Sequence, residues 1–176
     1  MKRDTLFKIY SAVAENEMKT RQELAELTGT PPATLCRAIK ELAHAELIKE
    51  HYIAHKSRFS AKGVFFAVLD MRSYSASFFD ESLNISKSVE YTPNPTFAAH
   101  DNLRSFVSVA EQGVPQKKLI SMCLIPSEEF NIFCEDVIHD YISVVRGREP
   151  LELAVKMREK YFSVKLELYQ KKTCKK

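Results

Sequence analysis

Two short helical segments near the N-terminus, separated by a glycine and two prolines, constrain the fold more than any other feature. Thr20 opens the first segment and Glu23 follows at the position of a capping box, in which each side chain satisfies the other's backbone N–H. Gly29 ends this helix, and Thr30 can cap the next one, with Pro31 at its first helical position. The inward-facing apolar residues at helical spacing are Leu24, Leu27, Leu35, Ile39 and Leu42. This pattern predicts a helix-turn-helix.

A further helix is predicted before this pair and a hairpin after it. Residues 4–15 carry an apolar stripe at helical spacing. Residues 48–54 and 59–66 predict two strands, connected by the polar and basic segment His55-Lys56-Ser57-Arg58. A basic hairpin directly after a helix-turn-helix is typical of a wing. Residues 1–62 are therefore predicted to form a winged helix-turn-helix domain.

The second helix of such a pair lies in the major groove of double-stranded DNA, where its N-terminal residues reach base edges. Arg37 faces outward in this arrangement and can donate a bidentate pair of hydrogen bonds to guanine. Arg21 is placed for a backbone phosphate, and the wing for phosphates or the minor groove. The candidate DNA-contacting residues are Arg21, Thr30, Pro32, Ala33, Thr34, Arg37, Lys40, Lys56, Ser57 and Arg58.

Charge is distributed unevenly along the chain. Residues 1–62 carry 11 Lys and Arg against 8 Asp and Glu, whereas residues 63–170 carry 11 against 15, and the last six residues add four lysines. A basic first segment suits a polyanionic partner. Two alternatives remain open: a chance excess of solvated charges, and a winged helix that contacts only other proteins.

Cysteine usage and the N-terminal sequence indicate a cytoplasmic protein. The first residues, MKRDTLFKIYSAVAENE, contain no apolar run of signal-peptide length, and no segment reaches the length of a membrane span. The four cysteines form no CxxC pair and have no histidine at metal-ligand spacing. They are interpreted as reduced, mostly buried thiols rather than as a metal or redox site, and no cofactor is expected.

The second part of the chain changes to extended patterns. Three aromatic and β-branched runs (VFFAVLDM, SYSASFFD and ISKSVEYT) predict an antiparallel meander. Residues 96–112 predict a helix, 119–125 a buried strand, 127–145 and 151–160 two helices, and 161–169, where apolar and polar residues alternate, a last strand. The order β-β-β-α-β-α-α-β predicts an α/β, ribonuclease-H-like or actin-like half-domain with a mixed sheet over residues 63–170, followed by a basic tail, 171–176.

This arrangement resembles the ROK family of repressors, open reading frames and sugar kinases. The segment TPPATLCRAIKELAHAELI is similar to that family's helix-turn-helix, although Glu46 stands where the family has Gly. AVLDMRSYSASFFD and REKYFSVKLEL resemble its first sheet hairpin and a later strand. The resemblance implies a transcriptional regulator, expected to be a repressor, with a sugar-type small molecule as a candidate effector. A homodimer is expected because winged-helix regulators usually bind two half-sites, which multiplies specificity.

Departures from the family's kinase pattern predict that the chain is not an enzyme. Asp70 is present in the first hairpin, but Arg72 stands where the resemblance places a phosphate-approaching glycine, and a side chain there would block the backbone. The family's catalytic Asp, zinc loop and second ATP-binding lobe would lie beyond residue 176. A remnant sugar-kinase-like enzyme is the third alternative.

One predicted helix is a candidate dimer interface. The predicted helix over residues 127–145 has an apolar stripe, for which core packing against the sheet is the competing interpretation. Its members are Phe130, Phe133, Val137, Tyr141 and Val144.

Overall fold

The computed structural model describes residues 1–115, 118–127 and 149–173. They divide into two compact units, one of Met1–Gly63 with Glu159–Lys176, the other of Val64–Arg158. The predicted stripe over 127–145 lies outside the described residues from residue 128 onward. Within the described part of the chain, no helix has both the length and the apolar character needed to cross a bilayer.

The first unit is a winged helix, as predicted. Its helices are α1 (Arg3–Glu15), α2 (Arg21–Thr28) and α3 (Pro32–His44), and its strands are β1 (Lys19–Thr20), β2 (Ile48–Ile53) and β3 (Lys56–Ala61). The strands form an antiparallel sheet in the order β1-β3-β2. Fully or nearly fully buried side chains from these three helices and from β3 make the core: Leu6, Ile9, Tyr10, Val13, Leu24, Leu35, Ile39, Leu42 and Phe59.

A helix from the far end of the chain completes this unit. Residues 161–169, predicted as a strand in the second domain, belong to helix α5 (Pro150–Thr173), whose part from Glu159 onward lies in the first unit. Phe162 is fully buried, with its ring 5.0 Å from that of Phe7 and 5.4 Å from that of Tyr10. The strand prediction was wrong because only alternate members of the apolar series are buried: Val164 is 46% exposed and Leu168 is 49% exposed. The buried residues instead follow helical spacing.

The second unit contains the predicted mixed sheet. Strands β4 (Phe65–Asp70), β5 (Ser75–Phe79) and β6 (Ile85–Glu90) are antiparallel, and β7 (Leu119–Ile125) lies parallel to β4, giving the order β6-β5-β4-β7. Helix α4 (Ala99–Glu111) connects β6 to β7 and packs Leu103, Phe106 and Ala110 against the sheet. The mixed α/β class and the β-β-β-α-β order are confirmed. The final predicted helix and strand are instead a single helix, α5.

Candidate nucleic-acid interface

The first helix of the predicted pair begins as the sequence indicates. The backbone N–H of Glu23 donates to Thr20 Oγ1 (3.3 Å), and the backbone N–H of Thr20 donates to Glu23 Oε2 (2.7 Å), which completes the capping box. The hydrogen bonds that the backbone N–H and the hydroxyl of Thr20 donate to Glu23 Oε2 hold the pKa of the Glu23 carboxyl below its usual value, because they favour the charged form. Gly29 ends the helix in the left-handed region (φ 60°). Leu27, predicted to face inward, is 54% exposed.

The start of α3 differs by one residue from the prediction. Thr30 makes no cap: Pro31 is the N-cap, and Pro32 is the first helical residue. The N–H of Thr30 donates to the Ala25 carbonyl (3.2 Å), and the residue is 8% exposed. Because the chain folds back at Gly29 and buries Thr30 in the turn, Thr30 is not available to a ligand from solvent.

The outward face of α3 is where the sequence places it. Pro32, Ala33, Arg37 and Lys40 are exposed, and Thr34 is half-buried. In the described part of the chain, neither Arg37 nor Lys40 has a hydrogen-bond or ion-pair partner. Both cations are therefore free to meet an anion or a base edge from outside.

Sequence reasoning missed one further residue on this face. Cys36, one of four cysteines expected to be mostly buried, is exposed beside Arg37. Cys123, in contrast, is buried in β7, and burial raises the pKa of its thiol to about 12. The helical spacing of the α3 core residues already leaves position 36 on the outside, so the signal was present.

The wing turns at a different place from the predicted one. Ile53 pairs with Lys56, so the turn is Ala54-His55, and both residues have positive φ (48° and 62°). This is the backbone of a tight two-residue hairpin, which normally uses Asn or Gly. The predicted connection, His55-Lys56-Ser57-Arg58, was wrong because Ala and His give no turn signal. Lys56, Ser57 and Arg58 lie in β3 instead.

The two wing cations have different surroundings. Arg58 is partly buried, and its Nη1 donates to the Met18 carbonyl (2.8 Å), which fastens the segment before α2 to the wing. Lys56 is exposed and has no partner within the described residues. At the tip, Tyr52 is 73% exposed and was also missed by the sequence analysis. Ser57 is half-buried. Among the predicted wing contacts, Lys56 is thus the most accessible.

Arg21, the first residue of α2, is held by two neighbours. Its Nη2 donates to Glu50 Oε1 (3.0 Å), and its guanidinium carbon lies 5.1 Å from the centroid of the buried Phe59 ring. Both members of the ion pair remain about half exposed. Arg21 is therefore accessible at the start of α2, but it already has an anionic partner.

Two cavities flank α2 within this unit. A polar one of about 250 Å³ separates α2 from the wing and is lined by Thr20, Gln22, Glu23, Glu26, Lys56 and Arg58. A second one of about 390 Å³ lies between α2 and α3 and is mostly apolar; it is lined by Arg21, Gln22, Ala25, Glu26, Pro32, Leu35 and Cys36.

The second unit contains Asp70 and Arg72, the two residues that the sequence analysis compared with the kinase pattern of the ROK family. Arg72 donates from Nε to Asp70 Oδ1 (2.9 Å) and from Nη2 to Asp70 Oδ2 (2.6 Å). This bidentate pair lowers the pKa of the Asp70 carboxyl, chiefly through the hydrogen bonds from Arg72. The carboxylate is thus engaged by its own neighbour. In the described ranges, no group of three or more His, Cys, Asp or Glu side chains is placed to hold a metal ion.

No protein-family model matches the chain, and no curated protein matches it by sequence. Among solved structures, a crystal structure of a ROK family transcriptional regulator, a homologue of the E. coli MLC protein, matches 68% of this chain with a TM-score of 0.40 and 12% identity. The match spans 34% of that regulator's chain. The geometry of the winged helix itself is therefore the basis on which a function can be inferred.

Proposed function

We propose that the first unit binds double-stranded DNA with α3 in the major groove, and that the chain is a sequence-specific transcriptional regulator, a repressor of ROK type without kinase activity. The observation that carries this proposal is the outward face of α3. Arg37 and Lys40 lie there exposed, with no partner of their own in the described part of the chain. Exposed, unpaired cations on the outward face of a helix complement the charge of a DNA groove.

The positions along α3 assign different roles to its residues. Pro32, Ala33 and Thr34 form the first turn, which in helix-turn-helix proteins comes nearest the base edges. Arg37 lies one turn further and offers the forked donor pair that matches guanine O6 and N7. Lys40 is a compact charge three residues on, suited to a phosphate. We therefore assign Arg37 to base recognition and Lys40 to the backbone.

The wing and the start of α2 supply the flanking contacts. Lys56 is the wing's accessible cation, and we propose that it contacts a phosphate or enters the minor groove. Arg21 contacts a phosphate at the start of α2. Ser57 and Arg58, half-buried in β3, contribute mainly by keeping the wing in place. Thr30 is not proposed as a DNA contact, because its side chain is buried.

The remaining parts of the proposal concern assembly and regulation. We propose that the chain acts in the cytoplasm as a homodimer, because two half-sites multiply specificity. The second unit then serves dimerisation or the sensing of a sugar-type effector. Sedimentation of the chain with and without a two-half-site duplex tests the dimer. A shift in its melting temperature on addition of candidate sugars tests the effector.

A protein-interaction module is the second candidate function. The mostly apolar cavity between α2 and α3 favours it, since such a recess accepts an apolar side chain of a partner protein. A protein contact of this kind depends weakly on salt. DNA binding weakens steeply with salt because counterions are released from the phosphates.

The test is a binding titration by fluorescence anisotropy on duplexes selected from a random pool, repeated over a series of salt concentrations. The wild-type chain is compared with an Arg37→Ala/Lys40→Ala variant. A Lys171→Ala/Lys172→Ala variant is the control, because it removes two cations from the last turn of α5. Loss of affinity in the first variant alone, with a steep salt dependence in the wild type, supports the proposal. Equal binding by all three chains contradicts it.

A further inference from the structure

We propose that Glu50 competes with a DNA phosphate for Arg21 and thereby limits the affinity of the winged helix for DNA of any sequence. This inference rests on the proposed function and adds a residue that weakens DNA binding. Arg21 and Glu50 come from different elements, the start of α2 and strand β2. Their ion pair therefore joins the helix-turn-helix to the wing at the edge of the candidate interface.

The Arg21–Glu50 pair is suited to an exchange of partners. The Nη2–Oε1 distance is 3.0 Å, and the two side chains are 45% and 46% exposed. An ion pair so open to water contributes little to stability, because solvent already screens it. Replacing the carboxylate by a phosphate oxygen at the same guanidinium therefore disturbs the fold little.

Phe59 keeps the guanidinium in place during such an exchange. Its ring is fully buried in β3 and lies under Arg21, with the guanidinium carbon 5.1 Å from the ring centroid. This cation–π contact does not depend on Glu50. Removal of the Glu50 carboxylate consequently frees the donors of Arg21 while the ring still positions them.

Among the candidate cations, Arg21 differs from the others because it already forms an ion pair with a carboxylate. Within the described residues, Arg37, Lys40 and Lys56 form no ion pair, and Arg58 donates to a backbone carbonyl. A phosphate that approaches Arg21 must displace the Glu50 carboxylate or remain beside it, and two anions near one cation repel each other. Since every DNA sequence has phosphates, Glu50 lowers affinity without regard to sequence.

The experiment measures binding of the full chain to a random-sequence duplex over a salt series, for wild type and Glu50→Gln. We expect Glu50→Gln to bind about 3- to 10-fold more tightly at low salt. We also expect its slope of log affinity against log salt to steepen by about 0.9, one additional neutralised phosphate. Glu46→Gln is the matched control: it also removes a carboxylate from an exposed ion pair in the same unit, with Lys165 at 3.4 Å.

Three results overturn the inference: Glu50→Gln behaves like Glu46→Gln, it binds more weakly than wild type, or its gain persists in an Arg21→Ala background. A merely structural role for Glu50 would lower the melting temperature and leave the salt slope unchanged. If the wild-type chain binds DNA through Arg37 but Glu50→Gln has no effect, only this inference fails. If the wild-type chain does not bind DNA, the proposed function fails and this inference fails with it.

Discussion

The two compact units each contain an exposed arginine, and the surroundings of these two side chains, Arg37 and Arg72, differ. In the first unit, Arg37 is exposed on α3 and has no partner in the described residues. In the second unit, Arg72 forms a bidentate pair with Asp70, two residues before it. A guanidinium engaged by its own carboxylate must break that pair before it can bind an external anion. Of these two side chains, Arg37 is therefore the one better placed to bind an external anion.

The largest expected effect comes from removing a buried aromatic ring from the unit that contains Arg37. Phe162→Ala should destabilise the first unit by about 3–5 kcal/mol, because it deletes a fully buried aromatic ring. DNA binding should fall with it. The NMR signals of residues 65–79 in the second unit should persist, and chemical denaturation followed by NMR checks both. Val164→Ala, on the exposed side of the same helix, is the control.

Exchanging the two arginines for alanine tests the comparison directly. Arg37→Ala should weaken binding to a selected duplex by about 1–3 kcal/mol, roughly 5- to 150-fold, and relax preference at one base pair. Arg72→Ala should leave DNA affinity unchanged. Competition titrations with single-base-substituted duplexes measure both quantities. An equal loss from the two substitutions would refute the contrast between the units.

Acid titration tests whether Arg72 lowers the pKa of Asp70. The pKa of Asp70 is lowered in the folded chain, so its stabilising contribution is present above the unfolded-state pKa and is lost as pH falls through the folded-state pKa. We expect Arg72→Gln to raise the Asp70 pKa toward its usual value of 3.8, measured by NMR titration of the carboxyl carbon. The stability difference between the two chains should then shrink as the pH is lowered below that value. An Asp70 pKa that does not move would show that Arg72 is not its cause.

The smallest effect should come from the wing turn. Ala54 and His55 both adopt positive φ, which costs energy for any residue with a Cβ. Ala54→Asn/His55→Gly supplies the residues that this hairpin prefers and should raise stability by about 0.5–1 kcal/mol. Thermal melting measures the change. Loss of stability would mean that the edge-on contact of the His55 ring with Tyr52 outweighs the backbone strain.

The candidate site divides into a part that the sequence predicts and a part that it does not. The outward face of α3 follows from Leu35, Ile39 and Leu42, because three buried residues at helical spacing fix the orientation of the whole helix. The wing turn does not follow, since Ala54 and His55 take a glycine-like conformation without glycine. Glu46 also adopts a positive φ (58°), at the position where the ROK family has Gly.

The fold is predictable to a similar extent. The mixed sheet follows from three extended runs, a helix and a buried apolar strand, and the element order β-β-β-α-β along the chain is as predicted. The end of the chain was assigned incorrectly because its apolar residues satisfy both a period of two and part of a helical period over nine residues. The packing of Phe162 against Phe7 and Tyr10 decides between a strand and a helix. Local sequence does not predict a contact with residues about 150 positions away.

The contribution of α5 to the first unit has a consequence for biosynthesis. A ribosome makes residues 1–63, with all the proposed DNA contacts, long before it reaches Phe162. During that interval Phe7 and Tyr10 lack the aromatic ring that packs between them in the finished chain. Domains generally fold as units during synthesis, N-terminal first. Here the aromatic core of the N-terminal unit is completed only after the second unit has been translated, so translation that stops before residue 162 yields a chain with the contact residues but without one ring of that core.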